Sequence, residues 1–153
     1  MDKVLFGAGC FWGVEETFRK IPGIIRTEVG YSGGITINPT YETVCSGKTN
    51  HAEVVHVEFD TNEIPFENLL EHFWKCHDPT TLNRQGPDIG TQYRSAIFYF
   101  NELQKKISHQ SKVDYARKLQ LDIVTEISPA QDYYRAEEYH QKYIQKTGLY
   151  CST

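Results

Sequence analysis

The segment HAEVVHVEFD, residues 51–60, restricts the fold more than any other stretch of the chain. Side chains alternate between faces along a strand, so Val55, Val57 and Phe59 share one face, and Glu53 shares it with them. A face that apolar belongs against a core. The same parity carries a carboxyl group towards the apolar side at the strand's beginning, which makes Glu53 the first candidate for a functional site.

Other segments supply the rest of a sheet and its cover. KVLFGAG reads as a buried strand running into Cys10. Phe11, Val14, Phe18 and Ile21 then recur at helical spacing until Pro22-Gly23 ends the helix. IIRTEVGYSGG alternates through Ile25, Thr27, Val29 and Tyr31 and stops at Gly33-Gly34. Residues 65–77, PFENLLEHFWKCH, place Phe66, Leu69, Leu70, Phe73 and Trp74 on one side of an amphipathic helix. SAIFYF reads as a strand, 102–120 as a looser helix, DIVTEI as a strand and RAEEYHQKYIQK as a final short helix, with TGLYCST as a coil tail. ITINPTYETVCSGKTN and DPTTLNRQGPDIGTQYR read as long loops, which in a compact domain usually carry function. The interleaving predicts an α+β fold: a two-layer sandwich with a mainly antiparallel sheet, helices on one side, a ferredoxin-like plait as its core, long loops and a coil C-terminal tail. Without repeats or linkers, residues 1–153 are expected to form a single catalytic domain, with 146–153 as a flexible tail.

Apolar residues at 39% and charged residues at 24% give a globular profile. A net charge of −4 gives no general attraction to nucleic acid or anionic membranes, so neither is expected as a partner. No apolar run reaches the length of a transmembrane helix, and the apolar stretch in MDKVLFGAG is too short for a secretory signal. A cytoplasmic location is the expectation.

The four cysteines, Cys10, Cys45, Cys76 and Cys151, have no CxxC spacing and do not suggest a structural disulfide framework. One or two reactive thiols, or four plain buried ones, are both compatible with the composition. Cys10 sits where a strand hands over to a helix, and first-turn amides there stabilise a thiolate. A cysteine hydrolase would pair Cys10 with a histidine base, for which His140 is the candidate. The His51-Ala52-Glu53 triplet matches one element of the zinc deaminases, yet the chain offers only KCHDP where P-C-x-x-C is required. Cys45, His51, Cys76 and His77 fit no structural zinc spacing, so no metal and no cofactor is expected.

GCFWGVEETF resembles the active-site signature of the methionine sulfoxide reductase A family, the peptide-methionine (S)-S-oxide reductases. GYSGG, NPTYETVCSG, HAEVVHVEFD, DPTTLNRQGPDIGTQYRS, AEEYHQKY and YC resemble further family segments in the family's order, covering nearly the whole chain. The resemblance implies Cys10 as the nucleophile on the sulfoxide sulfur and Glu53, kept protonated by desolvation, as the donor to its oxygen. It implies Tyr41 and Tyr93 as phenolic donors to the same oxygen and Asp88 as an organiser of the substrate's polar groups and nearby water. Phe11 and Trp12 correspond to the walls around the S-methyl group; Trp12 falls off the helical stripe, which suits a pocket. Cys151 corresponds to the resolving cysteine, giving a Cys10–Cys151 disulfide after a sulfenic acid, with thioredoxin as reductant. Oxidised proteins and free methionine sulfoxide are the implied substrates, and a monomer is expected. Cys76 reads as structural, and Cys45 receives no role. One departure from the family pattern is Asn50, where glycine is usual; asparagine tolerates left-handed backbone.

Overall fold

A computed structural model describes residues 1–149. The elements run β1 (Asp2–Ala8), α1 (Phe11–Arg19), β2 (Ile24–Ser32), α2 (Tyr41–Cys45), β3 (Ala52–Phe59), α3 (Phe66–Lys75), β4 (Arg84–Gln85), β5 (Asp88–Ile89), β6 (Ser95–Tyr99), α4 (Glu102–Leu119), β7 (Glu126–Pro129), β8 (Tyr133–Arg135) and α5 (Tyr143–Thr147). Single 3-10 turns lie at Thr91–Tyr93 and Glu138–His140. Six strands form one sheet in the order β7-β6-β1-β3-β2-β8, and β4 and β5 pair as a separate small hairpin. All neighbours in the large sheet are antiparallel except β6 and β7. The protein is therefore mixed α/β with a mainly antiparallel sheet.

The expected parity decides which face each strand buries. Val4 and Phe6 of β1 and Val55, Val57 and Phe59 of β3 join Phe11, Val14 and Phe18 of α1 and the apolar stripe of α3 in one large cluster. Full burial of each large side chain contributes about 1.5–3 kcal/mol before ordering costs. Leu5, Ala52, Val54, Ala96 and Phe98 face the other way into a smaller cluster, packed by Ala130 and Tyr133. Burial on both faces of the central strand β1 explains its unbroken VLFGA run.

The structure departs from the sequence reading where tertiary contacts override local pattern. Ile25 is 51% exposed because the β2–β3 register shifts between Ile24 and Arg26, which turns it outward. The first long loop contains α2, whose start is fixed by a capping box: Thr40 Oγ1 accepts from the Thr43 amide, and Thr43 Oγ1 accepts from the Thr40 amide. The strand expected at 122–127 forms only from Glu126, because Val124 donates its amide to the Pro79 carbonyl instead of joining the sheet. The helix expected over 135–146 is broken: Arg135 ends β8, and Lys142 takes a left-handed φ of 53°. Two tertiary ties impose that break. Gln141 pairs its side-chain amide with both the N–H and the carbonyl of Val29, and Lys142 gives its amide and its Nζ to the buried Glu15. Helix α5 runs to Thr147, so the flexible tail expected from 146 and the coil expected from 147 both begin inside a helix. Residues 150–153, including Cys151, lie outside the described residues.

Candidate active site

Cys10 is the N-cap residue of α1, with φ −56° and ψ 118°, and no acidic residue occupies the helix's first turn. Gly9 before it has a φ of 96°. A Cβ there would approach the Gln85 side chain to 2.8 Å, so the small hairpin packs directly against the strand-to-helix turn. This close approach brings a distant loop beside the cysteine.

Glu53 is only 2% exposed. Its Oε1 accepts from the Phe11 amide at 3.2 Å, the first amide after Cys10. Its Oε2 is buried without a hydrogen-bond partner among the described residues. Burial pushes the carboxyl up to about 8; the Phe11 amide opposes this, and the nearby Asp88 charge adds to it. At neutral pH the group is thus a neutral acid. Buried polar atoms seldom lack a partner, and an O–H in this position has one open use, donation to a guest in the site.

One cavity of about 120 Å³ is lined by Cys10, Phe11, Trp12, Tyr41, Glu53, Asp88 and Tyr93. Seven of the eight site residues read from the sequence therefore converge; the eighth, Cys151, lies outside the described residues. Five separate segments deliver them. Tyr41 opens α2, and its backbone amide is held at 2.9 Å by Glu137, whose other oxygen accepts from the Tyr31 hydroxyl. Tyr93 closes the 3-10 turn, where burial raises its hydroxyl to about 12. Both phenols stay neutral donors at physiological pH, since burial raises that of Tyr41 as well. Asp88 begins β5, and partial burial raises its carboxyl. Phe11 lines the cavity and also belongs to the main core, so packing and pocket wall are one role here.

Trp12 is held by groups that the sequence reading did not assign. Its indole stacks on Tyr143 with ring centroids 3.8 Å apart, and its Nε1 donates to His140 Nδ1 at 2.8 Å. His140 is fully buried, and its Nε2 has no hydrogen-bond partner among the described residues. Its ring therefore orients a wall residue, which is the core-satisfying arrangement and not that of a base for a hydrolase. Glu137 and His140 both lie in AEEYHQKY, so the motif was visible although their contacts were not. His51 engages backbone through both ring nitrogens, accepting from the Gly34 amide at Nδ1 and lying 2.8 Å from the Thr36 carbonyl at Nε2. That removes it from zinc chemistry. Among the described residues no three His, Cys, Asp or Glu side chains cluster to hold a metal ion. Cys76 donates its thiol to the Phe73 carbonyl, and burial pushes it up to about 12, in keeping with a structural thiol. Cys45 is exposed, one helical turn beyond Tyr41. Asn50 takes a left-handed φ of 58°, the conformation its residue type permits.

The cavity sets one cysteine beside three oxygen acids that burial keeps protonated at neutral pH, an arrangement able to support the chemistry of a thiol-dependent oxidoreductase. Comparison with known proteins makes the class specific. The family model described as peptide methionine sulfoxide reductase matches residues 2–153, and the chain belongs to that family. A peptide methionine sulfoxide reductase of Lactuca sativa is 54% identical over 145 residues; the match covers 95% of this chain and 56% of that protein, so the chain spans about half its length. The solved methionine sulfoxide reductase A of Corynebacterium diphtheriae superposes with a TM-score of 0.94 at 42% identity, covering 99% of this chain and 77% of the other. Mxr1 from Saccharomyces cerevisiae, solved in complex with Trx2, gives a TM-score of 0.67 at 28% identity over 92% of this chain and 83% of that one.

Proposed function

We propose that the protein reduces methionine (S)-sulfoxide, in proteins and as the free amino acid, to methionine. Cys10 as thiolate attacks the sulfoxide sulfur while Glu53 delivers a proton to the oxygen, and Tyr41 and Tyr93 donate hydrogen bonds that strengthen as that oxygen becomes basic. Transfer of that oxygen to the Cys10 sulfur, as the substrate's S–O bond and the transient S–S bond break, releases methionine, reduced by two electrons, and leaves Cys10 oxidised to a sulfenic acid. The thiol of Cys151 then displaces that oxygen as water and forms a disulfide. A thioredoxin dithiol takes up the oxidation and restores both thiols; the solved complex of the similar Mxr1 with Trx2 supports this choice of reductant. Phe11 and Trp12 enclose the S-methyl group, and Asp88 orders polar groups at the cavity's edge.

The observation that carries this reading is the orphaned Oε2 of Glu53, a buried acid beside the Cys10 turn. Selection of the S epimer follows from the family, since each epimer has its own enzyme. The same reading takes the core as a two-layer ferredoxin-like plait, supported by the chain order β1-α1-β2-β3-α3-β6 and the sheet order β6-β1-β3-β2. It takes the protein as a cytoplasmic monomer that repairs oxidised proteins under oxidative stress. The test mixes fully reduced protein with each epimer separately and counts methionine formed and thiols lost. Methionine from the S epimer alone, with none from Cys10→Ser, is the expected result; equal yields from both epimers, or turnover by Cys10→Ser, overturn it.

A further inference from the structure

We infer that Arg94 is a positioning residue for this reduction, setting Tyr93 and Glu53 in register with one another through the carbonyls its guanidinium gathers. It belongs to the DIGTQYRS stretch, in which only Asp88 and Tyr93 received a role, and it does not line the cavity. Its residue is 9% exposed, and all of its donor nitrogens are engaged. Nη1 donates to the Thr91 carbonyl at 2.9 Å and the Asn50 carbonyl at 3.0 Å, Nη2 to the Gly33 carbonyl at 3.4 Å, and Nε to Glu126 Oε1 at 2.9 Å.

The three carbonyls belong to segments that deliver the two oxygen donors. Thr91 opens the 3-10 turn that ends in Tyr93. Asn50 lies three residues before Glu53, in a left-handed turn that aims its carbonyl at the guanidinium. Gly33 follows Ser32, the strand partner of Ala52, which immediately precedes Glu53. One planar, multidentate cation thus ties the entry of β3 to the turn carrying Tyr93, while Glu126 on β7 anchors it from behind. A lysine, with a single nitrogen on a flexible stem, cannot span these partners together.

The inference rests on the proposed reduction, and the experiment separates the two. The pre-steady-state burst of methionine from free methionine (S)-sulfoxide is measured for the wild type, Arg94→Lys and Glu126→Gln, with folded fraction followed by circular dichroism. For Arg94→Lys the saturating burst rate is expected to fall about 10- to 100-fold, as for small misplacements of catalytic groups. The half-saturating sulfoxide concentration should stay within about twofold, because Phe11 and Trp12 on α1 are untouched. The basic limb of the burst-rate profile should move to lower pH as the displaced Glu53 carboxyl gains water. Glu126→Gln should change the rate in the same direction by less, and it serves alone if Arg94→Lys does not fold. An unchanged burst rate, a change confined to half-saturation, or a loss that only follows the folded fraction overturns the inference. A wild type without a burst would sink the proposed function and this inference with it; a normal wild-type burst with unaltered variants sinks this inference alone.

Discussion

Glu53 shows how far one side chain can set conditions for the whole site. Its carboxyl titrates near 8 because burial disfavours the charged form. An acid is active when protonated, so the burst rate should hold below that pH and decline as pH rises through about 8. Glu53→Gln, which cannot release a proton, should lose about 100-fold or more of the rate and the basic limb with it. The same shift has a thermodynamic consequence. The folded state holds this proton between the ordinary carboxyl range and about 8, whereas the unfolded chain has lost it. Stability linked to Glu53 is therefore full below the ordinary value and is lost as pH rises through about 8. Urea unfolding of wild type and Glu53→Gln at pH 5 and pH 9 should show the variant gaining relative stability at the higher pH; equal midpoint differences at both would contradict the assignment. The inward parity of Glu53 was legible in HAEVVHVEFD, but its unpartnered oxygen depends on what packs above it, which no strand pattern encodes.

At the scale of elements, periodic segments were readable and the connections were not. The stripe of α3 and the parity of β3 follow from period alone, and the structure places them as expected. Helix α2 is too short to show a period, and its capping box, Thr40 with Thr43, lacks the usual acidic partner that would flag it in a sequence. The turn at 137–142 reads as helix because the groups that break it, Val29 and Glu15, are more than a hundred residues away. The seven cavity residues were found through motif resemblance; spacing alone singled out Cys10 and Glu53. Because α2 presents Tyr41, its cap matters to the site. Thr40→Ala should destabilise the protein by about 1 kcal/mol in urea unfolding and slow the burst, while Thr40→Ser should retain both properties.

Across the whole molecule, the C-terminal segment closes the structure onto α1. Glu15, only 1% exposed, accepts from the Thr27 hydroxyl, the Lys142 amide and Lys142 Nζ, which joins α1, β2 and the residues leading into α5. Lys142→Met leaves that carboxylate with two donors and no cation. A loss of about 2–3 kcal/mol is expected, below the usual effect of orphaning a buried charge because two hydrogen bonds persist; an unchanged urea midpoint would contradict it. The tie also fixes Tyr143, the residue stacked on Trp12, so closure and pocket wall are coupled.

Under the proposed function, the pocket's size, about 120 Å³, has a consequence for what kind of damage could be mended. It holds roughly the volume of four water molecules, enough for the oxidised tip of one side chain. A client's neighbouring amino acids would then meet the surface around the cavity and not its lining, an arrangement that favours breadth over selectivity. A lesion on a protruding side chain is accessible at once, whereas one sealed inside a client's interior must wait until that client's own fold breathes open.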